Sequence, residues 1–105
     1  MHDFGLPQRT INEMHAIFAK HSKIKKVVVY GSRAMGSYRP GSDIDLTMFG
    51  EDLTYTDLLR ISSDLEDSSI PYLVDLSIFD QLNHAELRDH IRRVGMVFYQ
   101  KGQCV

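Results

Sequence analysis

The sequence predicts an α+β domain: one small mixed β-sheet of about four strands with helices packed against it. Three observations lead there. Segments with apolar residues at helical spacing alternate with short runs rich in β-branched residues. Turn-forming residues separate these segments. Their order is helix, strand, strand, helix, strand, helix, strand, with no internal repeat and no linker-like tract. At 105 residues the chain has the size of one ordinary domain, expected to span residues 1–105.

The first helix is predicted from about Pro7 to His21. Pro7 suits a first helical turn, and Ile11, Met14, Phe18 and His21, with Ile17 beside them, fall at helical spacing. Val27-Val28-Val29-Tyr30 reads as a buried strand that Gly31-Ser32 ends abruptly. Ser32 to Met35 fits one helical turn closed by Gly36. Tyr38-Arg39-Pro40-Gly41-Ser42 has turn chemistry. Asp43 to Phe49 alternates acid and apolar residues at its start, which is strand periodicity with two different faces. Thr54 with Asp57 forms a capping box that opens a second helix through Leu58, Ile61 and Leu65 to about Glu66. A third strand follows Pro71, over Tyr72 to Ile78. Asn83 with Glu86 is a second capping-box candidate, opening a helix through Leu87, Ile91 and Val94 that Gly95 stops. Met96 to Tyr99 is the last strand.

Composition narrows the functions. The chain is 43% hydrophobic and 25% charged, as globular proteins are. Its net charge of -2 lacks the Lys/Arg excess of a nucleic-acid binder, so no direct nucleic-acid binding is expected. No apolar run approaches the ~20 residues of a membrane span. The N-terminus has no secretory pattern, and the lone Cys104 cannot form an internal disulfide, so a cytoplasmic protein is expected. Cys104 reads as a bystander, because nothing nearby would lower its pKa. His2, His15, His21, His84 and His90 show no ligand-like spacing and read as ordinary surface or half-buried residues. Arg88, Arg92 and Arg93 give the third long helix a basic side, a solvated face or a contact for an acidic partner. Tyr55, Tyr72 and Tyr99 read as core or rim packing.

Three aspartates stand out. Asp43 and Asp45 lie two apart on one strand, so both side chains take one face, with Cα atoms roughly 6.5–7 Å apart. Ile44 and Leu46 take the other. Carboxylates at that reach can share metal ions about 3.5–4 Å apart. Alone, such a pair is more often an exposed edge strand with solvated acids. Asp75 interrupts the apolar run Leu73-Val74-Asp75-Leu76, where an acid is costly to bury without a partner. If its strand neighbours that of Asp43, it completes a carboxylate triad; otherwise it marks a polar strand face with Ser77. Gly31-Ser32-Arg33-Ala34-Met35-Gly36 follows a strand directly and offers backbone N–H groups, a hydroxyl and a guanidinium to phosphate. It lacks the Gly-Lys-Ser/Thr ending of a Walker A loop.

Ten residues separate Ser32 from Asp43, then come Asp-x-Asp and a third acid in an apolar strand. In this the chain resembles the DNA polymerase β-type nucleotidyltransferase superfamily. Tyr30-Gly31-Ser32-Arg33-Ala34-Met35-Gly36 followed by Ser42-Asp43-Ile44-Asp45-Leu46 is similar to the signature of its minimal nucleotidyltransferase (MNT) proteins. The resemblance implies a polymerase β-like fold and Mg²⁺-dependent nucleotidyl transfer from a nucleoside triphosphate, with ATP as donor. It implies that Gly31 and Ser32 bind the β- and γ-phosphates, and that Asp43 and Asp45 hold two Mg²⁺ ions. Asp75 would complete one metal site and take the proton from the attacking hydroxyl. Arg33 is expected either at the nucleotide or in a structural salt bridge. Minimal members are antitoxins paired with a helical HEPN-domain toxin, which implies adenylyl transfer to a toxin side chain, typically a tyrosine, in a hetero-oligomer. Two alternatives stand beside this: an antitoxin that neutralises by binding alone, and a transferase acting on an antibiotic-type small molecule.

Overall fold

Each strand of this chain divides its side chains between two surroundings, and that division builds the molecule. The computed structural model describes residues 3–102; the expectations for Cys104 and His2 lie outside them. The elements are α1 (Gln8–Ala19), β1 (Ile24–Tyr30), α2 (Ser32–Met35), β2 (Ile44–Gly50), α3 (Tyr55–Glu66), β3 (Val74–Ile78), a 3₁₀ turn (Phe79–Gln81), α4 (Ala85–Val94) and β4 (Met96–Gln100).

The four strands form one sheet in the order β3-β2-β1-β4. β1 pairs antiparallel with β2 and with β4, whereas β2 and β3 run parallel across the α3 crossover. The sheet is therefore mixed, as expected. One face carries Val27, Val29, Ile44, Leu46 and Met48, packed with Met14 and Phe18 of α1 and Ile61 and Leu65 of α3. Val28 and Tyr30 turn to the other face, where Phe79 and Ile91 join them, flanked by Phe49, Leu82, Leu87 and Val94. Because strand side chains alternate, Asp45 and Asp75 share this second face.

Several boundaries differ from those the sequence predicts. α1 ends at Ala19 and not His21; His21 Nε2 instead meets Asp64 Oδ2 at 2.8 Å. β1 begins at Ile24, which is fully buried, and so runs through Lys25 and Lys26. β2 begins at Ile44, leaving Asp43 one residue ahead of it, and β3 begins at Val74 rather than Tyr72. α4 is capped by His84, not Asn83: the His84 ring nitrogen Nδ1 accepts from the Leu87 N–H at 3.2 Å. The 3₁₀ turn has no counterpart in the sequence pattern. Tyr55 is 65% exposed, neither core nor rim. The Thr54–Asp57 capping box forms as expected, with both reciprocal hydrogen bonds present. No helix among the described residues is long and apolar enough to cross a membrane.

Candidate nucleotide and metal site

Strand register brings two of the predicted aspartates, Asp45 and Asp75, together beside the Gly31 turn. Tyr30, last in β1, is the Cα partner of Asp45 in β2, and Asp45 is the partner of Asp75 in β3. Gly31 continues from Tyr30, so the Gly-Ser turn starts directly beside Asp45. Gly31 adopts φ 73°, a region that side chains resist. A Cβ there would overlap the Asp45 Oδ2 atom. Both facts call for glycine. The turn then runs into α2, whose end is closed by Gly36 at φ 80°.

Asp45 is half-buried, while Asp43 and Asp75 are exposed. Burial raises the Asp45 pKa above the usual carboxylate range, and the charges of Asp75 and then Asp43 add to the rise; His90 opposes it. Three carboxylates thus feel one another at this corner. Tyr30 lies against them: burial raises its pKa, the charges of Asp75 and Asp45 add to that, and a hydrogen bond with Ser77 works against it. Hard oxygen donors of this kind suit Mg²⁺. Among the described residues, however, no three His, Cys, Asp or Glu side chains converge into a ready-made metal cage. Mg²⁺ does not demand one, since it commonly takes one or two carboxylates together with substrate phosphates and water. Asp75 also lines a groove of about 470 Å³ between β3 and α3, with Ser62, Leu65, Tyr72 and Leu73.

Arg33, expected at the nucleotide or in a salt bridge, is turned into the protein and is 3% exposed. Its Nε and Nη2 donate to the Ser42 carbonyl at 3.1 and 2.8 Å, and Nη1 donates to the Phe4 carbonyl at 2.8 Å. The tyrosine rings of Tyr38 and Tyr72 each lie 5.1 Å from the guanidinium carbon. No acidic side chain pairs with it among the described residues.

Three neighbours of the acids do not stand out in the sequence. Tyr30 reads there only as the end of a buried strand, and Ser77 only as a polar strand residue. His90 of α4 places its ring 6.2 Å from that of Tyr30. The helical stripe Leu87, Ile91 and Val94 carries the signal, since position 90 lies on its flank. Other histidines among the described residues have structural duties: His15 Nε2 meets the Phe98 carbonyl at 2.7 Å, and His84 caps α4. Arg88 likewise donates to the Phe79 and Leu82 carbonyls at 3.1 and 3.0 Å, so the basic side of α4 is partly internal.

No curated protein matches the chain in sequence. Solved structures match it in fold. A toxin–antitoxin complex with AMP-PNP superposes with a TM-score of 0.71 at 20% identity, covering 89% of this chain and 75% of that one. The MntA–HepT toxin–antitoxin gives 0.67 at 18% identity, over 90% and 74% of the two chains. A tri-AMPylated Shewanella oneidensis HEPN toxin in complex with MNT antitoxin gives 0.66 at 18%, over 90% and 72%. At these identities the likeness establishes the fold. The family follows from sequence: residues 12–103 match the model of the polymerase beta nucleotidyltransferase domain, and the chain belongs to that family.

Proposed function

We propose that this chain transfers an adenylyl group from Mg-ATP to a hydroxyl of a HEPN-domain partner protein in the cytoplasm, and thereby acts as an antitoxin. The observation that carries this reading is the register that sets the Gly31 turn, Asp45 and Asp75 side by side. Family membership supports nucleotidyl transfer. The solved relatives with AMP-PNP and with an AMPylated HEPN toxin support the donor and the partner.

Gly31 and Ser32 hold the β- and γ-phosphates through backbone N–H groups and the serine hydroxyl. Asp43, Asp45 and Asp75 would hold two Mg²⁺ ions, which when bound would neutralise charge at the phosphates and lower the pKa of the attacking hydroxyl. The hydroxyl oxygen bonds to the α-phosphorus, the bond to the bridging oxygen breaks, and pyrophosphate leaves. Asp75, exposed at the edge strand, accepts the hydroxyl proton. Removing Asp45 would strip the central carboxylate from this set.

The test incubates the chain with α-labelled ATP, Mg²⁺ and a HEPN protein encoded beside it. Label should appear on the HEPN protein and vanish with Asp45→Asn. No label under conditions where the two proteins bind would sink the transfer reading. The alternative is an antitoxin that neutralises by binding alone. On that reading Asp43→Ala still neutralises the toxin; loss of neutralisation with binding retained excludes it.

A further inference from the structure

The guanidinium of Arg33 contacts four residues, and three of them lie in segments that carry or adjoin the candidate site. Arg33 itself stands one residue past Ser32 in the turn. The Ser42 carbonyl that it binds twice belongs to the peptide bond joining Ser42 to Asp43. Two donors on one carbonyl fix the tilt of that peptide plane, and with it the direction in which Asp43 leaves the turn. Tyr72, over one face of the guanidinium, leads into β3 two residues before Val74. There the Leu73 carbonyl accepts the Ile44 N–H at 2.9 Å, tying the starts of β2 and β3 together. Tyr38, over the guanidinium at the same distance, belongs to the loop between α2 and β2. The fourth residue lies in the N-terminal arm. The Phe4 carbonyl accepts from Nη1, and Phe4 has φ 56°, followed by Gly5 at φ 74°. A Cβ at Gly5 would overlap the Tyr38 ring.

A buried cation with no acid beside it is expensive unless its donors and faces are all satisfied. Here carbonyls take Nε, Nη1 and Nη2, and aromatic rings supply the quadrupole attraction that a carboxylate would otherwise supply by charge. Core packing alone would be served more cheaply by an apolar side chain of similar volume.

We infer that Arg33 is a positioning residue that fixes the Gly31–Ser32 turn against Asp43 and, through Tyr72, against the start of the Asp75 strand. The N-terminal arm completes its donor set, so residues 3–6 belong to the working site although they carry none of its chemistry. The inference rests on the function proposed above, and lysine is no substitute at this position. An ammonium keeps the charge, but it lacks the planar fork that reaches Ser42 and Phe4 together.

The test uses the full chain as wild type, Arg33→Lys and Arg33→Ala. In amide hydrogen exchange, Arg33→Lys should speed residues 31–36 and 42–45 together by about tenfold or more, with the β1 interior unchanged. If neither turn loosens, or only one does, the coupling is overturned. In the labelling assay, Arg33→Lys should lower kcat by at least about 30-fold with a smaller change in KM for ATP. Added methylguanidine should restore part of the rate to Arg33→Ala but none to Asp45→Asn. Wild-type kcat in Arg33→Lys would overturn the inference and leave nucleotidyl transfer standing. Should the wild type transfer nothing, the proposed function fails, and the exchange experiment alone decides whether Arg33 couples the turns. If Arg33→Ala does not fold, Arg33→Lys decides the matter by both readouts.

Discussion

The two faces of the sheet are built from alternate residues of the same strands, yet they do different work. On the α1–α3 face, Ile44, Leu46 and Met48 are fully buried among aliphatic and aromatic neighbours. On the α4 face, the intervening residues are Asp45, Thr47 and Phe49. They meet Tyr30 and Val28 across β1, and Asp75 and Ser77 stand beside Asp45 and Thr47 in β3. The first face is dry and stabilising. The second is apolar at the Phe49 and Ile91 end and acidic at the Asp45 end. A period-2 strand thus lets one short segment supply both the core and a costly cluster of like charges, because neither face must compromise for the other.

Neighbouring substitutions in β2 put this contrast at risk most directly. Asp45→Asn should reduce transfer by more than about 100-fold, a loss typical of removing one preorganised charge-stabilising group. It should leave the urea midpoint unchanged or raised, since one of three repelling carboxylates becomes neutral. Leu46→Ala, one residue on, should cost about 2–5 kcal/mol of stability by urea denaturation. Its transfer rate should be near normal at temperatures where the chain stays folded. Reversal of these two outcomes would break the division between faces.

Gly31→Ala tests the place where backbone and acid touch. The positive-φ, extended-ψ backbone there, a region essentially restricted to glycine, should cost an alanine about 1–3 kcal/mol in a urea melt. The added Cβ also displaces the Asp45 carboxylate, so transfer should fall along with stability. Thr47→Val sharpens the boundary between the two ends of the second face. Thr47 is completely buried, and its hydroxyl has no hydrogen-bond partner among the described residues. Replacing it should stabilise the chain by about 1 kcal/mol, read as a higher urea midpoint with transfer unchanged. The smallest effect lies away from both faces, at the α3 cap. Hydrogen bonds from the Thr54 backbone and from Lys23 hold the Asp57 carboxyl at a pKa of about 2. A depressed folded-state pKa stabilises above the ordinary carboxylate range and loses that contribution as pH falls toward 2. Loss of helical signal from α3 between about pH 4 and pH 2, absent in Asp57→Asn, is the expected outcome.

Local pattern makes much of this legible. Strand alternation separates Asp45 from Ile44 and Leu46, and the Thr54-x-x-Asp57 spacing marks a helix start that the fold uses. What local pattern does not reach is decided by distant chain. Arg33 follows a Gly-Ser turn and so reads as a phosphate ligand or a salt-bridge partner; only the folded chain delivers the Ser42 and Phe4 carbonyls and two tyrosine rings to it. His84 takes the place of Asn83 as the cap because either neighbour can bond the first helical turn, and the path of the chain out of Phe79–Gln81 decides which one does. Ile24 does not read as a strand start because Lys25 and Lys26 hide a strand whose first residues are held by the residue after β4, the Lys101 N–H donating to the Lys25 carbonyl. The pairing of β2 with β3 follows from sequence only as a condition, since parallel neighbours need a crossover whose path local pattern does not specify.

That parallel pairing also orders the assembly of the protein in time. The turn at Gly31 and the Asp45 strand meet across a short loop, so their antiparallel contact closes a small ring of chain. Asp75 reaches Asp45 only across the longer crossover that contains α3. β4 must travel furthest in sequence to reach the free side of β1. A chain emerging from the ribosome therefore acquires its glycine turn and first carboxylates before its third, and gains the α4 cover, with His90, later still. A truncated or newly made copy ending before β3 would carry most of the signature that identifies the family, yet lack the third carboxylate of the proposed site.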